Sequence, residues 1–207
     1  MYTPYYRVMT GNVATTLDPT ARNVVGSIYS PPPSSSAVFS TTAGASTAGF
    51  GAQPVYKYVY FYDAADLTES MQAAPAPVYY IDESFTTVTG NAADAYYTTG
   101  GACVAGYLMP NTTALGTSNT AAQWYTQLLQ SYVFIQIGGL LQGALQPSTR
   151  TGAGTGSYIT GLATGEWASL VNTSVATSSR ILGIQWTAIA SGLCDVLVGG
   201  YTSFWGS

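Results

Sequence analysis

The sequence predicts an all-β protein, a β-sandwich or β-barrel-like domain of the tulip or jelly-roll kind, preceded by an extended N-terminal arm. Three observations predict this class. Short apolar runs recur along the chain, and turns rich in glycine, serine and threonine separate them. Long amphipathic helical patterns are scarce, and a proline-rich stretch comes before the first strong strand. Many short strands with such turns are typical of sandwiches and barrels.

Residues 1–54 have the composition of an arm. Three consecutive prolines, Pro31 to Pro33, favour an extended polyproline II segment, and residues 40–51 are mostly threonine, alanine, glycine and serine. Apolar side chains are nevertheless scattered through the arm, which a pure linker would lack. We expect the arm to lie on a partner or on its own domain; a solvated tail is the alternative. The candidate partner-binding residues are Tyr2, Tyr5, Tyr6, Ile28, Tyr29 and Phe39.

The clearest strand covers residues 55–62, where tyrosine alternates with other residues. Successive side chains of a strand point to opposite faces, so one face carries only tyrosines and the other carries Val55, Lys57, Val59 and Phe61. A tyrosine ring can be buried while its hydroxyl stays hydrated. We therefore expect a self-association or sheet-packing face, with a sugar-binding strip as the alternative. Its residues are Tyr56, Tyr58, Tyr60 and Tyr62.

The domain that follows the arm spans residues 55–207, with leading strands in 55–90 and a compact core in 91–207. Gly138 and Gly139 predict a turn or bulge, and Ser191 with Gly192 predicts a hairpin turn. Short helices are predicted after Asp63 and over residues 121–130. Further strands are predicted at 78–81, 85–88, 103–108, 132–137, 167–175, 180–190 and 193–198.

Charge is unusually rare in this chain of 207 residues. Only 7% of the residues are charged, with five basic and nine acidic side chains and a net charge of -4. Five scattered cations form no basic patch, which argues against nucleic acid as a partner. The most apolar stretch, residues 133–145, is too short for a membrane-spanning helix, so no membrane contact is expected. A surface built from uncharged residues suits a protein that packs against copies of itself or a scaffold.

The candidates for catalysis and metal binding are weak. Histidine is absent, which removes Ser-His-Asp and Cys-His chemistry. Asp82 and Glu83 are adjacent and would face opposite sides of a strand, while Glu166 and Asp195 have no pattern linking them. A short helix could align three carboxylates, but the spacing lacks the glycine of a calcium loop; these are Asp63, Asp66 and Glu69. We expect no enzyme activity, no cofactor and no metal site.

Two cysteines, Cys103 and Cys194, lie far apart in the sequence and form no metal-binding pair. We expect both to be small buried apolar residues, although a disulfide between them is an alternative. The N-terminal residues lack the basic-then-apolar order of a signal peptide, so the sequence gives no sign of export.

One region resembles a known family. It contains Tyr132-Val-Phe-Ile-Gln-Ile-Gly-Gly139, then Gly165-Glu-Trp-Ala-Ser-Leu-Val171, then Arg180-Ile-Leu-Gly-Ile-Gln185 and Ser191-Gly-Leu-Cys-Asp-Val-Leu-Val198. This order resembles the small head decoration (cement) proteins of tailed bacteriophages. The resemblance covers about a third of the chain, residues 130–198, and its motifs are short. The arm is longer than in minimal members, and the tyrosine strand has no counterpart we can assign.

The resemblance implies a structural virion protein that is assembled in the host cytoplasm and sits on the outer surface of the phage head. It implies a homotrimer whose partner is the major capsid protein and which clamps neighbouring capsomers, with no active site. Several linked contacts of modest strength would supply the grip. We expect residues 1–54 to carry much of it, and the low charge to make binding only weakly salt-dependent.

A carbohydrate- or receptor-binding surface module is the alternative function, as part of a virion fibre or a surface layer. Aromatic side chains stack on sugars, and besides the tyrosines the chain has Trp124, Trp167, Trp186 and Trp205. Tryptophans in a β protein are, however, more often part of a core or an interface.

Overall fold

The computed structural model describes residues 17–29, 54–63, 75–91, 94–98, 101–108, 129–145, 148–149, 158–161, 167–170, 181–188 and 193–199. Its strands are β1 (Leu17–Asp18), β2 (Ile28–Tyr29), β3 (Val55–Asp63), β4 (Ala76–Tyr80), β5 (Thr87–Thr89), β6 (Tyr97–Thr98), β7 (Gly101–Ala102), β8 (Val104–Leu108), β9 (Ser131–Leu145), β10 (Ser148–Thr149), β11 (Tyr158–Gly161), β12 (Trp167–Leu170), β13 (Ile181–Gln185) and β14 (Leu193–Val198). Within these ranges, no helix is long and apolar enough to span a membrane.

Five strands close into a barrel in the order β3-β5-β4-β8-β9, and β9 pairs with β3 to complete the circle. The β3–β9 pair is the longest seam, running antiparallel from Val55 opposite Gly138 to Phe61 opposite Ser131. The β3–β5 pair is parallel and the other three seams are antiparallel. The expectation of an all-β, barrel-like domain is therefore confirmed.

The barrel interior is filled by alternate residues of its strands. Val59 and Phe61 point inward from β3, as the alternation in the sequence predicts. They are completely buried, and Ile135 meets them from β9. The cluster as a whole comprises Val59, Phe61, Val78, Tyr80, Val88, Cys103, Ala105, Leu108, Val133 and Ile135.

Strand β9 links the barrel to a second sheet. Its first half pairs with β3 and its second half pairs with β14, after which the sheet continues through β13, β11 and β12 to β10. The strand passes through Gly138 and Gly139 without ending, so the predicted turn there is wrong. The bulge is present, because Val55 faces Gly138 while Tyr56 faces Gln136, and Ile137 lies between them.

A second core forms outside the barrel wall, where the second sheet meets β4 and β8. Tyr79 and Tyr107 point outward from the barrel and are covered by residues of β9 and β14. Burial raises the pKa of Tyr107 well above its ordinary value. The cluster comprises Tyr79, Ala95, Val104, Tyr107, Leu141, Ala144, Cys194, Val196 and Val198.

The two cysteines are buried and free, and they belong to different cores. Cys103 lines the barrel interior, whereas Cys194 lies in the second core. Burial, with a smaller contribution from Asp195, raises the pKa of the Cys194 thiol to about 11. The expectation that both cysteines are small buried residues is confirmed, and no disulfide joins them.

Strands β3, β4, β8, β9 and β14 lie at the predicted ranges 55–62, 78–81, 103–108, 132–137 and 193–198. The predictions at 85–88 and 180–190 overlap β5 and β13, but β5 begins only at Thr87 and β13 ends at Gln185. The antiparallel pairing of β13 with β14 agrees with a hairpin, although its turn residues, Ser191 and Gly192, lie outside the described residues. Most of both predicted helices and the end of the 167–175 strand also lie outside them.

Candidate functional site

The candidate site is the outer face of the β3–β9 seam. We call it the tyrosine face, formed by Tyr56, Tyr58, Tyr60 and Tyr62 of β3 together with Tyr132 and Phe134 of β9. The ladder places Tyr58 opposite Phe134 and Tyr60 opposite Tyr132. Side chains directly opposite each other on one face of an antiparallel pair interact, which explains why these rings form a cluster.

The rings of the tyrosine face pack closely. The Tyr58 ring lies 4.8 Å from Phe134 between centroids and stacks at 5.9 Å on Tyr132. Tyr60 and Tyr132 are 5.1 Å apart and tilted. Aromatic pairs in such offset and tilted arrangements stabilise by about 0.5–1.5 kcal/mol beyond the area they bury.

A segment of the predicted arm covers this face. We call residues 17–29 the strap. Its first residues pair with β9, Asp18 opposite Tyr132, and its last residues pair with β3, Tyr29 opposite Tyr56. Between these ladders Gly26 N–H donates to the Tyr58 carbonyl at 2.7 Å, and Tyr58 N–H donates to the Ser27 carbonyl at 2.9 Å. The strap is thus held at both ends by main-chain hydrogen bonds to the seam.

The Tyr58 hydroxyl is the polar centre of the contact. It donates to Asp18 Oδ2 at 2.8 Å and accepts from the Arg22 N–H at 3.2 Å. The Asp18 side chain is buried, and Arg22 Nε lies 3.2 Å from its other oxygen, at ion-pair distance but without hydrogen-bond geometry. Because the Arg22 side chain is mostly exposed, solvent screens that ion pair, and the hydroxyl is the stronger anchor of the carboxylate.

The structure places the predicted self-association residues in three environments. Tyr58 is fully buried beneath the strap, Tyr56 and Tyr60 are half-buried, and Tyr62 is 53% exposed. Burial, with a smaller contribution from Tyr29, raises the pKa of Tyr56. Only part of the tyrosine face is therefore open to solvent when the strap is in place.

The predicted partner-binding residues of the arm also differ in their exposure to solvent. Ile28 is 65% exposed on the strap, while Tyr29 is half-buried, its ring edge-on to Phe134 at 6.4 Å. Tyr2, Tyr5, Tyr6 and Phe39 lie outside the described residues.

Lys57, the only lysine of the sequence, lies on the opposite side of β3 from the tyrosine face. Its ammonium donates to the Phe85 carbonyl at 2.5 Å and to the Tyr80 hydroxyl at 3.1 Å. It also lies 5.0 Å from the centroid of the Tyr80 ring, within range of a cation–π interaction. Lys57 therefore ties the turn before β5 to the barrel interior.

Asp82 and Glu83, the adjacent carboxylates of the sequence, lie in the loop between β4 and β5. Asp82 accepts from the Ser84 amide and hydroxyl, and Glu83 accepts from the Tyr96 hydroxyl at 2.7 Å, so each stabilises a local loop. No group of three or more metal-ligating side chains exists among the described residues. Glu166, Asp66 and Glu69 lie outside them, as does the side chain of Asp63.

Of the four tryptophans, Trp186 is 46% exposed directly after β13. Trp167 begins β12, but its side chain lies outside the described part, and so do Trp124 and Trp205. Of the four tryptophans considered for sugar binding, only Trp186 therefore has a described side chain, and that side chain is about half exposed.

Sequence reasoning did not find Asp18 and Arg22. They are isolated charged residues in an arm-like segment, with no pattern that links them to Tyr58. The available signal was their rarity, because a charged residue in such a charge-poor chain is worth attention wherever it occurs.

Comparisons with protein-family models, curated proteins and solved structures returned no match to this chain.

The hydroxyl of Tyr58 gives a first testable prediction. Tyr58→Phe is expected to lower the free energy of unfolding by about 1.5–3 kcal/mol, because it removes a hydrogen bond to a charged group and leaves the Asp18 carboxylate buried beside a screened arginine. Urea unfolding followed by circular dichroism measures this. Tyr62→Phe is the matched control, and its exposed side chain should change stability by less than about 0.5 kcal/mol.

The stabilisation that the Tyr58 hydroxyl provides is expected to depend on pH. Burial raises the pKa of Tyr58 from 10.0 to about 12; the Arg22 N–H opposes this rise and Asp18 adds to it. Because the folded-state pKa is the higher one, the stabilisation is complete below pH 10 and is lost as the pH rises towards 12. The difference between wild type and Tyr58→Phe should therefore shrink over that interval, and a constant difference would contradict the assignment.

Proposed function

We propose that this chain is a structural virion protein, a decoration protein that binds the outer face of an icosahedral phage head and clamps neighbouring capsomers. The observation that carries the proposal is how the strap is held. It lies on the barrel through strand pairing and aromatic contacts, with only one acidic and one basic side chain among residues 17–29. Strand pairing of this kind provides affinity without charge.

The exposed surface fits the same proposal. The large apolar side chains that remain exposed in the described part are Val24, Ile28, Tyr62, Leu129 and Trp186. Val24 and Ile28 lie on the strap itself, and Leu129 precedes Gln130, whose N–H donates to the Phe61 carbonyl next to Tyr62. Apolar side chains are therefore exposed on and beside the tyrosine face, where a capsid surface or a second copy would bury them.

The test is co-sedimentation of the full chain with empty expanded heads, assembled from the capsid protein encoded in the same genome. We expect saturable binding that changes little between low and moderate salt, because few charges take part. Release at moderate salt, or no binding at all, would contradict the proposal. If the chain instead bound glycans through exposed aromatic residues, the alternative of a receptor-binding module would replace it.

The contribution of the arm is tested by a truncation that respects the structure. Removing residues 1–54 would also remove the strap and uncover Tyr58 and Phe134, so loss of binding would have two causes. Removing residues 1–16 deletes Tyr2, Tyr5 and Tyr6 but keeps the strap. We expect this shorter truncation to weaken head binding while urea stability is retained; undiminished binding would remove these tyrosines from the proposed grip.

A further inference from the structure

The strap is connected to the barrel in an unusual way. Tyr29 of β2 lies directly opposite Tyr56 of β3 in an antiparallel ladder. A two-residue turn is enough to join such strands. Here the chain between them comprises residues 30–55, which at full extension reach about 90 Å. This connection is far longer than the distance it closes within one molecule.

The composition of this connection favours an extended segment, which can span the distance to a neighbouring molecule. It begins with Ser30 and the three prolines Pro31, Pro32 and Pro33, which favour an extended chain over a tight return. Residues 40–51 consist mainly of small residues that offer little apolar surface to a core. A segment of this length and composition allows β2 to pair with β3 of the same molecule or with β3 of a neighbour.

The tyrosine face is the receptor for the strap, and its recognition chemistry is complete. Main-chain hydrogen bonds hold both ends, Asp18 accepts from the Tyr58 hydroxyl, and Tyr29 packs against Phe134. None of these contacts depends on the strap and the face belonging to one chain. A neighbouring copy would present an identical strap, so exchange would conserve every contact and cost little.

We propose that the strap is exchanged between copies, so that residues 17–29 of one molecule cover the tyrosine face of the next. This rests on the proposed function, for which the resemblance implies a homotrimer, and it names the contact that would link the copies. The exposed side chains of Val24 and Ile28 would then lie at the junction between two molecules. Each copy would hold one neighbour and be held by another, a head-to-tail arrangement that a ring can close.

The test uses cysteine pairs at facing positions of the β2–β3 ladder, in the full chain. Residues opposite each other in an antiparallel pair are close enough for a disulfide. The double variant Tyr29→Cys/Tyr56→Cys is oxidised and then analysed on a non-reducing gel, with the linked peptides identified by mass spectrometry. The second double variant, Ile28→Cys/Lys57→Cys, probes the next register position if the first one does not fold.

Exchange predicts disulfide-linked oligomers from these variants. The matched control is Ala76→Cys/Leu108→Cys, two facing residues of the antiparallel β4–β8 pair away from the tyrosine face, which should link only within one chain. Light scattering on the same samples separates the two proposals. An oligomer with intrachain links alone overturns exchange but leaves self-association intact, whereas a monomer overturns both. If neither strap pair forms any link, the ladder is not formed in solution and exchange is overturned as well.

Discussion

Phe61→Ala is expected to lower the free energy of unfolding by about 3–5 kcal/mol, the usual cost of truncating a buried phenylalanine. Phe61 is completely buried in the barrel interior. It lies near the end of β3, where that strand pairs with both β5 and β9, opposite Val88 and Ser131. The cavity would therefore open where two barrel seams meet, and neighbouring strands could not close it without losing their register.

The matched control for this variant is the next residue along β3. Tyr62→Ala removes an aromatic side chain of similar size from the same strand, but this side chain is 53% exposed on the opposite face. We expect a loss well below that of Phe61→Ala, measured as the shift of the urea midpoint at constant slope. Equal losses would mean that the alternation along β3 does not separate an interior face from an exterior one.

That alternation is the part of the fold that the sequence determines most clearly. Lys57, Val59 and Phe61 face the barrel, and the tyrosines face away from it, because side chains of a strand alternate whatever the rest of the chain does. The apolar run that became β9 was also recognisable as a strand. Its length was not, because glycine pairs usually end strands, whereas here β14 supplies new partners beyond Gly138.

Barrel closure could not be predicted from local patterns. It depends on pairings between segments distant in sequence, such as β3 with β9, and no short-range signal specifies which strands meet. The strap is a similar case. Its residues have the composition of an arm, and what ties it to the domain is strand pairing at both ends together with the buried contact of Asp18 with Tyr58. Such a contact between two isolated polar residues leaves no periodic trace in the sequence.

The motifs that carry the resemblance to decoration proteins have structural roles in this fold. Gln136 is buried, and its amide donates to the Gly138 carbonyl at 3.0 Å, next to the bulge at which β9 leaves the barrel. Gly183 of β13 lies against the Leu197 carbonyl, where no Cβ could fit. The buried glutamine thus packs where β9 leaves the barrel, whereas the glycine of the later motif lets β13 approach β14 within the second sheet. Such packing roles are not specific to capsid binding, so the head-binding experiment decides the proposal.

Gly106→Ala is expected to destabilise the protein by about 3 kcal/mol, because the barrel cannot accept a side chain at this seam. Gly106 lies in β8 opposite Val78, and a Cβ there would lie 2.5 Å from the Gln136 carbonyl oxygen of β9. A backbone oxygen cannot rotate away as a side chain can, so β8 and β9 would have to separate where their ladder closes the barrel. Gly138→Ala is the matched control, because its Cβ would meet only Val55, whose Cβ lies at 3.1 Å, and a shift of a few tenths of an ångström relieves that contact. Thermal unfolding of both variants measures the difference; a Gly106→Ala protein as stable as Gly138→Ala would show that close approach of β8 to β9 is not required for closure.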